Sequence, residues 1–460
     1  MDGTVTDEAL SPELSLAGGK PASPAGQWSW ALYEWARNPY FILVNIYIFA
    51  PYFTNVVVGD PVRGQQLWGY TSSVGGLVLA VLGPIFGAIA DAGGRRKPWL
   101  LLCTFAGAPA MACLWFARPG LGDAVMPILV DLVIIGVFFD LSVIFHNAML
   151  PALASRRHVG RLSGLSLALG NAAGVLLFLF VLVAWEWAEH PLFGLERAAS
   201  EPERAIGPLT GLWFLLWALP LFLFTPDHAG SGLRPIAAAR QGLATLLHTI
   251  LQLRRYRNVG QFIIARMIYN DGFGIILVFT GIYAAGVFGW DLKMLTLFGI
   301  TLSVVAGIES YLAGLLDDWL GSRRALIAAI VTGVFANLVT VSISAHGILF
   351  MTVDDAKIFL GLSLPECVFY LNSFVAAFSV VTGLASSRTM MARLAPPEMV
   401  GEFFGLFALS GSATAFMGPL AVATLTGYFH SQRAGLAAVM PFLFIGGILL
   451  FPVRERQAEA

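Results

Sequence analysis

Apolar residues run along this chain in long blocks that stop at clusters of polar and charged residues. Twelve blocks reach or approach the roughly 20 residues a helix needs to cross about 30 Å of hydrocarbon. They cover 28–57, 67–90, 98–117, 124–149, 162–185, 209–225, 259–287, 294–316, 325–349, 367–390, 404–427 and 434–452. The sixth is short, and the stretch 346–372 is broken by Asp354, Asp355 and Lys357, with Pro365 placed to start the tenth helix. The pattern predicts an all-α membrane protein with twelve transmembrane helices.

Composition supports that reading. Of 460 residues, 57% are hydrophobic and 12% charged, too few charges to keep a soluble domain of this size dispersed. The net charge of -1 offers no basic surface for nucleic acid. Cys103, Cys113 and Cys367 stand apart inside apolar stretches, so no metal site is expected. Residues 1–27 are acidic and rich in Gly, Pro and Ser, which fits a disordered tail better than a cleavable leader.

Positive charge orients the helices, because basic loops resist translocation. Most Lys and Arg residues fall in alternate loops, including Arg95, Arg96, Lys97, Arg156, Arg157, Arg254, Arg255, Arg323 and Arg324. Both termini are therefore expected in the cytoplasm; in a bacterium the membrane would be the cell membrane. The longest inner connection, 226–258, divides the helices into bundles at 28–225 and 259–452, leaving a short tail at 453–460. Within it, Leu243, Leu246, Leu247, Ile250 and Leu251 share one helical face, as in a helix lying on the inner leaflet.

The halves repeat. GAIADAGGRRK holds Gly87, Asp91, Gly94, Arg95 and Arg96; GLLDDWLGSRR holds Gly314, Asp318, Gly321, Arg323 and Arg324, each between the second and third helix of its half. VGRLSGLSLALG and VGEFFGLFALSG open the fifth helices. This is the signature of parallel six-helix repeats. The doubled loop suits a gate: the glycines allow close helix approach, the acids can accept from a facing helix N-terminus, and the arginines can reach phosphates or carboxylates. An inner-leaflet anchor that sets topology is the simpler alternative.

That doubled loop resembles the signature loop of the major facilitator superfamily. WALYEWARNPY, FHNAMLP, ARMIYNDG and RLAPPEMVGEFFGLFALSGSATAFMGP resemble its vacuole-effluxer branch, which includes fungal vacuolar amino-acid exporters and bacterial relatives. The resemblance implies a transporter whose cavity is lined by the first, fourth and seventh helices. The chain departs from the branch pattern at Glu34 and Arg37, where Asp and Asn are usual, at His146, where Tyr is common, and at Ser412, where Lys is common. A buried cation is thereby expected on the first helix and not the eleventh.

Ionisable groups inside spans are the candidate site, since an uncompensated charge in hydrocarbon costs several kcal/mol. Glu34, Arg37, Asn38, Asn147, Arg266, Asn270 and Asp271 are candidate substrate contacts, and Asp140, Asp271 and Glu309 candidate proton carriers. Glu34 with Arg37 reads equally well as a static salt bridge, Arg266 with Asp271 as a deeper charge pair, and His146 as a hydrogen-bonded structural residue. Close-packed glycine pairs are expected at Gly83/Gly87, Gly160/Gly164, Gly170/Gly174 and Gly401/Gly405.

No Gly-x-x-x-x-Gly-Lys-Ser/Thr, His-Glu-x-x-His or Gly-x-Ser-x-Gly motif occurs, so no ATPase or common hydrolase site is encoded. The expectation is a non-enzymatic, cofactor-free secondary transporter, monomeric, moving a small polar organic solute by alternating access with proton coupling. An amino acid or other carboxylate-bearing solute clamped by Arg37 and Arg266 is the sharper form. A transport-inactive receptor or assembly protein on the same scaffold is the alternative.

Overall fold

The computed structural model describes residues 14–15, 19–155, 158–227, 255–353, 356–359, 361–395 and 400–454, with isolated positions between 237 and 253. Among these residues twelve helices are long and apolar enough to cross a membrane. We number them α1 (Pro24–Val57), α2 (Pro61–Gly93), α3 (Lys97–Phe116), α4 (Met126–Leu153), α5 (Val159–Glu186), α6 (Glu201–Phe224), α7 (Arg257–Phe288), α8 (Leu292–Leu320), α9 (Ser322–Ser342), α10 (Leu364–Leu394), α11 (Phe403–Phe429) and α12 (Gln432–Leu450). Their outer faces carry large exposed apolar side chains such as Leu102, Phe105, Ile308, Tyr311 and Phe335, the surface a bilayer covers.

Packing repeats between the halves. The α1–α5, α1–α6, α2–α4 and α3–α6 contacts of the first bundle recur as α7–α11, α7–α12, α8–α10 and α9–α12 in the second. The bundles meet along α2–α11 and α5–α8, two seams that exchange when the halves are exchanged. At the centre lie α1 and α7, with 78% and 61% of their most apolar stretches buried against 50% or less in the other helices.

Local chemistry sets the helix ends. Ser23 caps α1 by accepting from Gly26 N at 3.2 Å, with Pro24 in the first turn, so the helix begins before the predicted 28. The sixth helix begins at Glu201 and not 209. Glu201 and Glu203 sit in its first turn, where the helix dipole favours them. Arg204 is sequestered by donating to Trp115 O at 2.8 Å and stacking 4.4 Å from the Trp115 ring. Gly94 and Gly321, at φ 78° and 81°, break the chain between α2 and α3 and between α8 and α9.

The broken stretch before α10 holds two small antiparallel ladders, β1 (Gly347–Ile348) with β2 (Met351–Thr352) and β3 (Lys357–Phe359) with β4 (Leu362–Ser363). Pro365 does stand in the first turn of α10, whose capping box joins Ser363 and Glu366. Lys357 pairs with Glu366 at 2.7 Å. Asp354, Asp355, the acidic tail before residue 14, and Leu243 and Leu246 of the expected surface helix lie outside the described residues.

The glycine expectation holds in part. Gly170 and Gly174 of α5 pack directly on Asn38 and Ile42 of α1, so close that a Cβ would require those side chains to shift. Gly87, Gly160, Gly164, Gly314 and Gly405 have open space where a side chain would stand, so the close approach expected there is not made in this conformation. Gly83 has only ordinary contact with Ile144 and Ser412.

Candidate functional site

Proline decides the shape of α1. Pro39 has no N–H to offer the carbonyl of Trp35, and the Trp213 indole on α6 takes that carbonyl at 2.8 Å. From Tyr40 to Tyr47 the helix widens into a π-helical stretch, a feature that often accompanies functional sites. This stretch carries Tyr40, Phe41 and Asn45 into a central cavity of about 230 Å³. Five helices meet there. Opposite α1, α2 contributes Trp68, Thr71 and Ser72, α4 contributes Phe139 and Asp140, α7 contributes Asn270, Asp271 and Phe279, and α11 contributes Ala415 and Pro419. The α11 helix is interrupted beside it, at residues 414–416.

Three glycines create the space. Gly75 of α2, Gly136 of α4 and Gly274 of α7 all line the cavity, and a Cβ at any of them would meet no atom within 4 Å. They withhold side chains in the middle of three apolar helices, where a packing residue would otherwise fill the interior.

The expected site residues divide into two groups. Asp140, Asn270 and Asp271 line the cavity. Asp271 is 4% exposed and its Oδ2 has no hydrogen-bond partner. Glu34, Arg37, Asn38, Asn147, Arg266 and Glu309 are not part of the lining. Glu34 and Arg37 form a buried ion pair on α1, and the guanidinium also lies 5.1 Å from the Phe139 ring. Asn38 packs on Gly170, and Asn147 is exposed. Glu309 is buried with Oε2 unpartnered.

Arg266 and Asp271 make no ion pair, contrary to the sequence expectation. Five residues along a helix turn a side chain by about 140°, so the two address different parts of α11. Arg266 donates to Phe407 O and Ser410 Oγ, each at 2.6 Å, over the Phe407 ring at 3.7 Å. Asp271 faces Thr414 and Gly418. The expected buried cation on α1 is present as Arg37, and α11 is served by an arginine from α7.

His146 has the structural role. It donates from Nε2 to Trp30 O at 2.8 Å, while Trp30 Nε1 donates to His146 O at 2.9 Å and the rings stack 4.3 Å apart. The interlock fastens α1 to α4. Asp131, near the start of α4 with a buried unpartnered Oδ2, was not selected from sequence, although the rule that selected Asp140 applies to it equally.

In the doubled loop the working acids differ from those the motif marks. Asp318 is exposed, whereas its neighbour Asp317 is 3% exposed. Asp317 accepts from Ser322 and Thr389 at 2.9 Å each, with Arg393 at 3.4 Å. In the first copy, Asp227 caps α3 by accepting from Arg96 N at 2.9 Å and Lys97 N at 3.2 Å. The side chain of Asp91 lies outside the described residues. Arg323 donates to Phe451 O at 2.7 Å. These contacts tie helices within one bundle.

Hydrogen bonds between bundles lie at the other end. Gln65 of α2 donates to Thr426 Oγ1 at 2.8 Å and Gln432 O at 3.1 Å, Gln432 donates to Pro61 O at 3.1 Å, and Ser73 donates to Phe416 O at 2.9 Å. Gly69 and Gly76 bring α2 onto the α11 backbone, and Gly281 brings α7 onto the Ile46 carbonyl. Among the described residues, every hydrogen bond between bundles lies in the half away from the termini.

Two six-helix bundles in parallel repeat around such a cavity are the major facilitator fold, and this protein is a membrane transporter of that class. A D-xylose–proton symporter superimposes with TM-score 0.64 at 12% identity, covering 94% of this chain and 97% of that one. The nucleoside transporter NupG gives 0.60 at 11%, covering 93% and 97%. More narrowly, the chain belongs to the vacuole effluxer Atg22-like family, whose sequence model matches residues 56–460. It is 24% identical over 433 residues to the uncharacterized MFS-type transporter YxiO of Bacillus subtilis, covering 94% of this chain and 95% of that protein. It is 25% identical to autophagy-related protein 22 of Cryptococcus neoformans over 64% of this chain, but spans only about half (49%) of that fungal protein.

Proposed function

We propose that the protein is a secondary carrier that moves a small polar organic solute through the central cavity by alternating access, with both termini in the cytoplasm. The observation that supports this reading is the combination of a cavity between the bundles that holds two aspartates with inter-bundle hydrogen bonds on one side of it only. A volume of about 230 Å³ is slightly below the roughly 300–1,000 Å³ of drug-sized pockets, which suits a cargo of amino-acid size. The amino-acid export that the family resemblance implies fits that size. Asp140, Asp271 and Glu309 each lack an ion-pair partner among the described residues and are the groups through which proton coupling would act.

Arg37 is already neutralised by Glu34, and Arg266 is turned onto α11. The anionic clamp expected from sequence therefore has no support in this arrangement. The test is solute flux into proteoliposomes, with labelled amino acids and small amines, for the native chain and Gly136→Leu. Because Gly136 opens on the cavity with no neighbour within 4 Å, the leucine should stop flux without unfolding the protein. Binding without flux in the native chain would favour a receptor. Undiminished flux in folded Gly136→Leu would remove the cavity from the path.

A further inference from the structure

The charge of the cavity wall is one-sided. Asp140 enters from the first bundle and Asp271 from the second, and none of the described lining residues is Lys, Arg or His. The Asp271 carboxylate is buried with one oxygen unpartnered, although it lines open space. Thr414, the side chain that faces it, has one hydroxyl proton to share between this carboxylate and Met267 O at 2.9 Å. Asp140 makes no side-chain hydrogen bond among the described residues.

Surrounding charges leave this bias in place. Arg37 lies within electrostatic range of Asp140 but is shared with Glu34. Arg266 is held by Phe407 and Ser410, and Arg388, exposed on α10, lies within range of Glu34. Asp131, within range of Tyr40, is a further acid on this side and supplies no positive charge. Aromatic side chains form much of the remaining wall, among them Tyr40, Trp68 and Phe139. Their negative faces attract an organic cation but are poor ligands for a small inorganic one, which requires oxygen.

We propose that this cavity recognises a positively charged amine, held between Asp140 and Asp271 against aromatic faces, and that a carboxylate on the solute is dispensable. The assignment rests on the central cavity being the transport site and specifies what that site selects. The two acids belong to different bundles, so one ammonium bound to both would couple the halves.

The experiment is calorimetric titration of the purified full-length protein with n-butylammonium, butyramide and butyrate at constant ionic strength. The amine should bind at millimolar concentration or better, and the amide and acid at least about tenfold more weakly. Asp140→Asn and Asp271→Asn should each weaken the amine roughly 10- to 100-fold, the loss of one charge-assisted hydrogen bond. Absence of amine binding, butyrate or butyramide binding as tightly as the amine, or unchanged amine affinity in both folded variants would overturn the proposal. Sodium competing as well as tetramethylammonium would overturn it in favour of an inorganic ion. If neither variant folds, the three-probe comparison on the native chain decides alone. Amine binding without proteoliposome flux would defeat the transport reading and leave this assignment standing. Butyrate flux stopped by Gly136→Leu would do the reverse.

Discussion

Replacing Gln65 with alanine should move the protein toward the state open at the end away from the termini. The Gln65 amide is fully buried (0% exposed) and makes two of the four hydrogen bonds that join α2 to α11 and α12 across the bundle seam. At about 1 kcal/mol net for each neutral hydrogen bond, the loss is about 2 kcal/mol. Gln65 Oε1 has no partner, so removing it returns part of that cost, and the figure is an upper bound. A bias of about 2 kcal/mol corresponds to roughly a 30-fold change in the ratio of the two states. Pulsed distance measurements between spin labels at Val62 and Tyr428, one on each side of the seam, would read it as growth of a longer-distance population. Gln27→Ala is the control, because Gln27 also makes two hydrogen bonds, to Ala22 O and Leu153 O at 3.1 Å, but inside the first bundle. An unchanged distance distribution in folded Gln65→Ala, with only a lower melting temperature, would show that these bonds support packing and do not set the state.

Gly136→Leu should abolish flux while leaving the melting temperature nearly unchanged, since the new side chain enters empty space; a large loss of stability would mean the space is not available. Asp317→Ala should destabilise the protein by about 2–4 kcal/mol, because buried hydrogen bonds to a carboxylate are lost. Asp318→Ala should cost no more than about 0.5 kcal/mol, and equal melting temperatures for the two variants would refute the distinction. Glu34→Ala should cost about 3–5 kcal/mol by stranding the Arg37 charge. The double variant Glu34→Leu with Arg37→Leu should recover much of that loss in a thermal unfolding assay, unless the pair contributes something beyond mutual neutralisation.

The fold was legible because a bilayer imposes the same demand on every crossing: enough consecutive apolar residues, with backbone polar groups satisfied inside the helix. That demand is written in composition, so all twelve spans could be read without knowing what they pack against. Boundaries were less visible where capping outweighed polarity. Glu201, Glu203 and Arg204 look like loop residues, yet the carboxylates suit a first helical turn and the arginine is absorbed by Trp115. The doubled loop shows a different limit. Motif alignment marks Asp318, but a shift of one residue rotates a helical side chain by about 100°, and it is Asp317 that faces α10.

The site was legible only as a set of charges. The i,i+3 spacing of Glu34 and Arg37 permits pairing, and they do pair; the five-residue spacing of Arg266 and Asp271 points them apart. The neutral residues of the wall, such as Tyr40, Asn45 and Thr71, and the glycines that make the space carry no such mark, since Gly136 and Gly170 look alike in sequence although one borders a void and the other a neighbouring helix.

The seam and the cavity together suggest how cargo can act on the conformation. Four neutral hydrogen bonds joining α2 to α11 and α12 amount to about 4 kcal/mol, before subtracting whatever the opposite end gains when it closes. Moving a two-state equilibrium from 1:99 to 99:1 takes about 5.5 kcal/mol of differential binding. A seam of this size is therefore within reach of one solute that contacts both bundles. A seam locked by desolvated ion pairs, each costing about 3–5 kcal/mol to break, would not be. Neutral amides and hydroxyls at the closing surface, with the carboxylates kept for the cavity, place the stronger interactions where the cargo can use them.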